Sequence, residues 1–279
     1  MSLSTKDPHA ALVRTSFFRF YEELNDFLPQ ARRRVSFAYG FKGRPSIKNT
    51  LAALGVPHAE IDLLLVDGRS VDFDYRLQGQ EHVSVYPMFE CFDISAITRL
   101  SHRPLRNSKF IVDVNLGKLA TQLRLLGFDS LYRSDFADRE IVALSLAEQR
   151  IILTRDKGIL HYNSVSHGYW VRSTDVRVQI QEVIERFQLE HKLAPFSRCP
   201  LCNTVLEAID KAEVRGRVPP GAFGCYETYK ECPRCRKIYW QGSHYRQICR
   251  RIAALRASLH SAGAPPADPL PLDANGGKD

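Results

Sequence analysis

The chain has 279 residues, 44% of them hydrophobic and 25% charged, with a net charge of +8; these are ordinary globular values and enough chain for two or three domains. No apolar run approaches about 18 residues, which excludes a transmembrane helix and a membrane partner. The start, MSLSTKDPHAALVR, lacks a basic stretch leading into an apolar one, so no secretory signal is expected and the expected location is cytoplasmic. The seven cysteines include two C-x-x-C pairs, and an odd count so arranged points to metal rather than disulfides.

Residues 1–12 read as a loose tail, and the first domain spans 13–90. Residues 35–39 (VSFAY) alternate like a strand. Ser46 is placed to cap a short helix through Leu54, which Gly55 ends. Residues 61–66 (IDLLLV) read as a strand, Asp67-Gly68 as a hairpin turn, and 71–75 (VDFDY) as a further alternating strand. Residues 83–86 (VSVY) give the last one. One helix on a small sheet in this order resembles a ubiquitin-like β-grasp domain of the kind found in sulfur carriers. Those carriers end in an active Gly-Gly. Here the chain runs on through Pro87, and Gly276-Gly277 lies far away. Sulfur-carrier chemistry is therefore not expected, and the domain reads as a docking module for a protein partner. A polar linker containing Arg99, His102, Arg103, Pro104 and Arg106 occupies 91–108.

The second domain covers 109–192. Strands at 110–112, 129–132, 151–154 and 168–171 alternate with helices at 116–126, 138–148 and 175–187. That alternation implies an α/β fold with a parallel sheet covered on both faces. Ligands of open α/β sheets bind beyond the carboxyl ends of the strands, and this chain places acids there. Asp113 closes the first strand and Asp156 follows the third. Asp135 and Asp138 lie after the second, and Asp175 follows the fourth. Converging carboxylates need a cation, and Mg²⁺ or Mn²⁺ suits hard oxygen ligands and phosphodiester cleavage. Asp138 and Asp175 also read as helix N-caps and Asp135 as a loop acid. Lys118 and Arg155, beside the acids, are placed either to hold phosphate or to pair with the acids.

Cys199, Cys202, Cys232 and Cys235 lie in a third segment, 196–252. Four thiolates fill a tetrahedral Zn²⁺ shell, so the metal is expected to be structural. The 29 residues between the pairs leave room for a β-hairpin excursion. Residues 198–256 hold 12 Lys and Arg against 5 Asp and Glu, nearly all of the chain's excess charge. A basic zinc module points to a polyanion, most simply nucleic acid. Arg234, Arg236, Lys237, His244 and Arg246 stand among Tyr239, Trp240 and Tyr245, a mixture suited to phosphates and stacked bases. Trp240 reads equally as ribbon core. Residues 253–279, rich in Pro, Gly and Asp, read as a disordered tail.

Taken together, FIVDVNLGKLATQLRLLGFDS (110–130), SDFADRE (134–140), RIILTRDKGIL (150–160) and the paired cysteine knuckles resemble the Mut-seven carboxy-terminal RNase domain, a PIN-like fold. The leading segment resembles the ubiquitin-like domain often found ahead of it. The resemblance implies a divalent-metal-dependent ribonuclease with Asp113, Asp138 and Asp156 as its acids, RNA as its substrate and partner, and Zn in the ribbon. Asp135, Glu140 and Asp175 compete as a fourth acid. Two other readings stand beside it: a non-catalytic RNA- or ribosome-binding protein, and an adaptor docking a partner through its β-grasp domain.

Overall fold

The computed structural model describes residues 13–87, 97–100, 108–243, 245–250 and 252–253. His244 and all but the first residue of the expected tail lie outside them. The first domain is a five-stranded sheet with strand order β2-β1-β5-β3-β4. Its elements are β1 (Val13–Phe20), β2 (Phe37–Lys42), α1 (Ile47–Ala53), β3 (Ile61–Val66), β4 (Arg69–Ser70) and β5 (His82–Pro87). β1 and β5 run parallel at the centre, which is the β-grasp arrangement. Ser46 caps α1 by accepting from the Asn49 N–H at 3.2 Å. Asp67 and Gly68 both have positive φ, as a tight two-residue hairpin between twisted strands requires.

Two expectations change here. β1 has no strand of its own in the sequence reading, because polar Ser16 points into the core with Phe18 and Phe20 while Phe17 points out. Ser16 is satisfied there by donating to the Glu81 carboxylate at 2.5 Å. Residues 71–75 alternate but form no strand. The Asp72 carboxylate takes the Asp74 N–H at 3.0 Å, bending the chain. The carbonyls of Phe73 and Tyr75 accept from Lys48 and Ile47 at the start of α1. The segment thus satisfies the orphan N–H groups of a helix instead of a ladder.

The second domain is a parallel sheet of order β7-β6-β8-β9. It contains β6 (Phe110–Val112), α2 (Gly117–Leu125), β7 (Ser130–Leu131), α3 (Asp138–Glu148), β8 (Ile151–Thr154), α4 (Lys157–Leu160), β9 (Gly168–Trp170) and α5 (Val176–Arg186). β6 is buried on both faces. Ile111 joins a core with Ile141, Val142 and Ile152 on the α3 side. Phe110 meets Phe128 and Phe187 on the other side. Gly127 ends α2 with φ +101°, and a Cβ there would lie 2.4 Å from the Ala194 carbonyl oxygen. Backbone cannot swing aside as a long side chain can. Gly127→Ala is therefore expected to destabilise the protein by about 3 kcal/mol, read as a lower urea midpoint at unchanged slope.

The two domains share packing. Ala59, on the 3-10 turn His58–Glu60 of the β-grasp domain, belongs to the Ile111 core. Trp170 packs against the cores of both domains.

The third segment carries β10 (Glu207–Ile209), α6 (Lys211–Val214), α7 (Pro220–Cys225), β11 (Tyr229–Glu231) and β12 (Ile238–Trp240), with strand order β10-β11-β12. The excursion between the cysteine pairs is thus not a hairpin alone, since it holds α6 and α7. The chain divides into two compact units, Met1–Ala208 with Glu231–Lys237 and Ile209–Lys230 with Ile238–Asp279. Both cysteine knuckles fall in the first. In the second, Val214, Val218, Tyr229 and Ile238 form a small core, and Trp240 packs against it. Of its two readings, Trp240 has the core one.

Candidate active site and four-cysteine centre

Because β7, β6, β8 and β9 are parallel, their carboxyl ends share one edge. Asp113 and Asp156 lie just past the ends of β6 and β8, while Asp135, Asp138 and Glu140 come in the segment and helix after β7 and Asp175 after β9. Asp113 follows β6 and is only 3% exposed. One of its oxygens accepts from the Thr154 hydroxyl at 2.8 Å. The same hydroxyl accepts from the Asp156 N–H at 2.8 Å. Thr154 therefore joins the Asp113 carboxylate to the backbone of Asp156. Asp156 is exposed and caps α4, accepting from the Gly158 N–H at 2.7 Å.

The other acids differ. Asp138 is exposed at the first position of α3, whose N-cap is Ala137; it is not the cap itself. Glu140 supplies the capping bond, accepting from the Ala137 N–H at 2.9 Å. Asp135 forms a two-bond exposed pair with Arg133, both contacts at 2.9 Å. That pairing holds its carboxyl below the usual range. Asp175 caps α5 through the Arg177 N–H at 2.7 Å.

A groove of about 600 Å³ beside Asp156 is lined by Asn115, Arg155, Asp156, Thr174 and Gln179. An adjoining one of about 620 Å³ shares Asn115, Thr174 and Gln179 and adds Lys118 and Tyr132. Gly117 makes this wall possible. Tyr132 crosses the start of α2 to donate to the Val114 carbonyl at 3.2 Å, and a Cβ at 117 would lie 2.5 Å from its hydroxyl oxygen. Thr154, Asn115, Thr174 and Gln179 were not singled out from sequence. Thr154 and Asn115 stand inside the quoted motifs, but no spacing rule marks a neutral polar residue as part of a site.

The donor set limits the ion it fits. Among the described residues, only the four cysteines form a set of three or more His, Cys, Asp or Glu ligands whose atoms all lie within 4.8 Å of one another. Asp113, Asp138 and Asp156 do not close to that distance together, so they do not fit an all-protein cage. An ion that takes one or two carboxylates and keeps several waters, as Mg²⁺ does, needs no such cage.

The cysteine centre is closed. Cys199 and Cys202 sulfurs lie 3.5 Å apart, Cys202 and Cys232 3.6 Å, and Cys199 and Cys235 3.7 Å. A disulfide would bring two sulfurs to about 2.05 Å. Tetrahedral bonds of about 2.3 Å from a central metal place them about 3.8 Å apart. The knuckles repeat one geometry. Cys199 N–H bonds the Thr204 carbonyl and Cys232 N–H the Lys237 carbonyl, and Asn203 and Arg236 each adopt positive φ. Burial and the neighbouring thiols push Cys202 up, so a cation is needed for all four to ionise together.

This centre is joined to the sheet. Asn203 accepts the Ser130 N–H of edge strand β7 at 3.0 Å and donates to Asp129 at 2.7 Å. Arg124 of α2 donates to the Leu201 carbonyl at 2.9 Å and to the Ser130 carbonyl at 2.8 Å. Burial alone would raise Asp129, but the hydrogen bonds from Arg150 and Asn203, with the charges of Arg150 and Arg198, hold it low. Arg234 and Lys237 are exposed on the second knuckle, while Arg236 pairs with Glu231 at 3.0 Å. Arg246 is exposed in the second unit. Among the described residues no helix is long and apolar enough to cross a membrane.

A search of curated proteins finds no match to the chain. Residues 13–93 match the family model described as Mut7-C ubiquitin. Residues 108–252, more than half of the chain, match that described as Mut7-C RNAse domain. With a β-grasp sheet, a parallel sheet bearing strand-end acids and a four-cysteine centre in that order, the chain belongs to the Mut7-C RNAse domain family.

Proposed function

We propose that this protein is a divalent-metal-dependent ribonuclease that hydrolyses RNA phosphodiester bonds in the cytoplasm. The observation that carries the reading is that one Thr154 hydroxyl bonds both the Asp113 carboxylate and the backbone N–H of Asp156, with Asp156 lining a groove, in a chain of this family. These two carboxylates hold Mg²⁺ or Mn²⁺, with Asp138 acting from α3 through water. The ion, when bound, activates water and neutralises charge building on the leaving oxygen. Thr154 keeps the buried Asp113 aligned, since a buried carboxylate needs a donor. Asn115, Thr174 and Gln179 line the path of the strand, and Lys118 holds a phosphate. Water, rather than Asp135, Glu140 or Asp175, completes the shell. Zn fills the cysteine centre, and Arg234, Lys237, His244 and Arg246 hold RNA on the basic segment. The Arg155 guanidinium is engaged with backbone carbonyls and acts on the rim rather than on phosphate.

The test is cleavage of single-stranded and duplex RNA by the full chain with Mg²⁺, Mn²⁺ or EDTA. Cleavage with either ion, none with EDTA and at least a hundredfold loss in Asp156→Asn is the expected result. A zinc-loaded, folded wild type that binds RNA and cleaves none of it moves the reading to a binding protein.

A further inference from the structure

Asp156 stands between two cations, Arg155, which the segment following β9 holds, and Lys157, which lies over Trp170 at the end of β9 and over Phe27. Arg155 Nη1 donates to the Arg172 carbonyl at 2.7 Å and the Ser173 carbonyl at 2.5 Å. Lys157 Nζ lies 3.8 Å from the centre of the Trp170 ring and 4.9 Å from that of Phe27. The setting of Asp156 therefore depends on residues 170–173, and also on Phe27, which belongs to the β-grasp domain.

The β-grasp domain holds that segment. Glu60 accepts the outward N–H of Trp170 at 2.6 Å, covering an edge strand that would otherwise present an unpaired donor. Arg172 Nε donates to Asp26 at 2.9 Å, and Arg172 Nη2 donates to the Glu23 carbonyl at 3.2 Å. Arg172 Nη2 also stands 3.5 Å from the second Glu60 oxygen, which is buried and accepts no hydrogen bond. From the nuclease side, Glu182 accepts the Arg172 N–H at 2.7 Å. A planar guanidinium with five donors is suited to such a multi-point anchor, and a lysine is not.

We propose that Arg172 is a positioning residue of the nuclease: anchored on Asp26, Glu23 and Glu60, it fixes the carbonyls that hold Arg155 and so sets Asp156 at the rim. The β-grasp domain is then a fixed part of the active site's support and not a detachable docking module. This rests on the ribonuclease reading for its catalytic consequence, while the brace itself has a readout independent of activity.

The experiment uses the full chain with Arg172→Gln, Arg172→Lys and Glu60→Gln. Arg172→Gln is expected to lower kcat at least tenfold with KM for RNA within about twofold, and Arg172→Lys to recover part of it. Hydrogen exchange at residues 154–158 rises at least tenfold in Arg172→Gln, while amides of β6 and α3 keep their protection. Glu60 adds a pH signature. Burial pushes its carboxyl from 4.5 up to about 7 against the pull of Arg172, the Trp170 N–H and Arg186, with Glu23, Lys157 and Tyr169 also facing it. The ratio of wild-type to Glu60→Gln kcat should exceed one at pH 8, where Glu60 is ionised and anchors Arg172, and approach one by pH 6.

A folded Arg172→Gln with wild-type exchange at 154–158 overturns the proposal. So does exchange that rises equally in β6 and α3, because that reports general destabilisation, and so does a loss confined to KM. If wild type cleaves no RNA, the ribonuclease reading fails, and the exchange pattern alone supports or overturns the brace.

Discussion

Asp113→Asn is expected to lower kcat about a thousandfold and to leave the melting temperature within a few degrees of wild type. The two halves of this expectation come from different atoms of one side chain. The oxygen that accepts from Thr154 persists in asparagine, so the buried hydroxyl keeps its partner. The other oxygen becomes an amide NH₂, a donor where a cation needs an anionic oxygen. Removing one pre-set electrostatic group from a reacting centre typically costs about 10²–10³ in kcat, and a ligand that also seats the ion lies at the upper end. Asp113→Ala makes the comparison informative. It removes the acceptor nearest the Thr154 hydroxyl in a site only 3% exposed, leaving that hydroxyl the longer bond to the Asp156 carbonyl at 3.3 Å, and adds about 1 kcal/mol of destabilisation to the same loss of rate. Paired kinetics and melts of the two variants separate the roles, and an Asp113→Asn protein with wild-type kcat would remove Asp113 from the site.

Removing metal from the four-cysteine centre is expected to do more than unfold a small appendage. Structural zinc contributes about 10–16 kcal/mol of apparent binding free energy in isolated finger peptides. Here the knuckle at Cys199–Cys202 reaches into the parallel sheet. Asn203 takes the Ser130 N–H of β7, and Arg124 from α2 bonds the Leu201 carbonyl. With the knuckle released, β7 regains an open edge and the 5% exposed Arg124 loses acceptors. Cys199→Ser, or chelation under mild denaturant, is therefore expected to release one zinc per chain, lower the melting temperature by more than ten degrees and abolish cleavage. Zinc loss with an unchanged melt would mean that the ribbon and the sheet are energetically independent.

Much of the architecture was readable in the chain because local physics coincides with the tertiary answer. Helix α3 begins and ends where the apolar spacing said, and strand β8 does likewise. These are long or strongly apolar segments whose preferences the fold does not override. The cysteine pairs were legible because a thiolate tetrahedron demands a fixed spacing at each knuckle. Strand-end acids were legible because parallel strands deliver all their carboxyl ends to one edge.

What failed locally failed for long-range reasons. β1 hid behind Ser16, a polar residue inside the core that only Glu81, 65 residues away, makes tolerable. Residues 71–75 carried a strand's alternation but gave their carbonyls to α1. The cap position of α3 fell one residue earlier, on Ala137, whose N–H the Glu140 carboxylate takes, and Asp138 became the first helical residue. Asn203 and Arg124 carry no spacing signal, and neither does Arg172 with its partners Asp26 and Glu60. Each is neutral or ion-paired only once distant segments pack. Residue types and periods thus established which elements form and which edge bears the acids. Packing between segments far apart in the chain settled that Thr154 joins the Asp113 carboxylate to the Asp156 backbone and which cations are withdrawn into the protein, because burial makes a polar group depend on partners that adjacent residues do not supply.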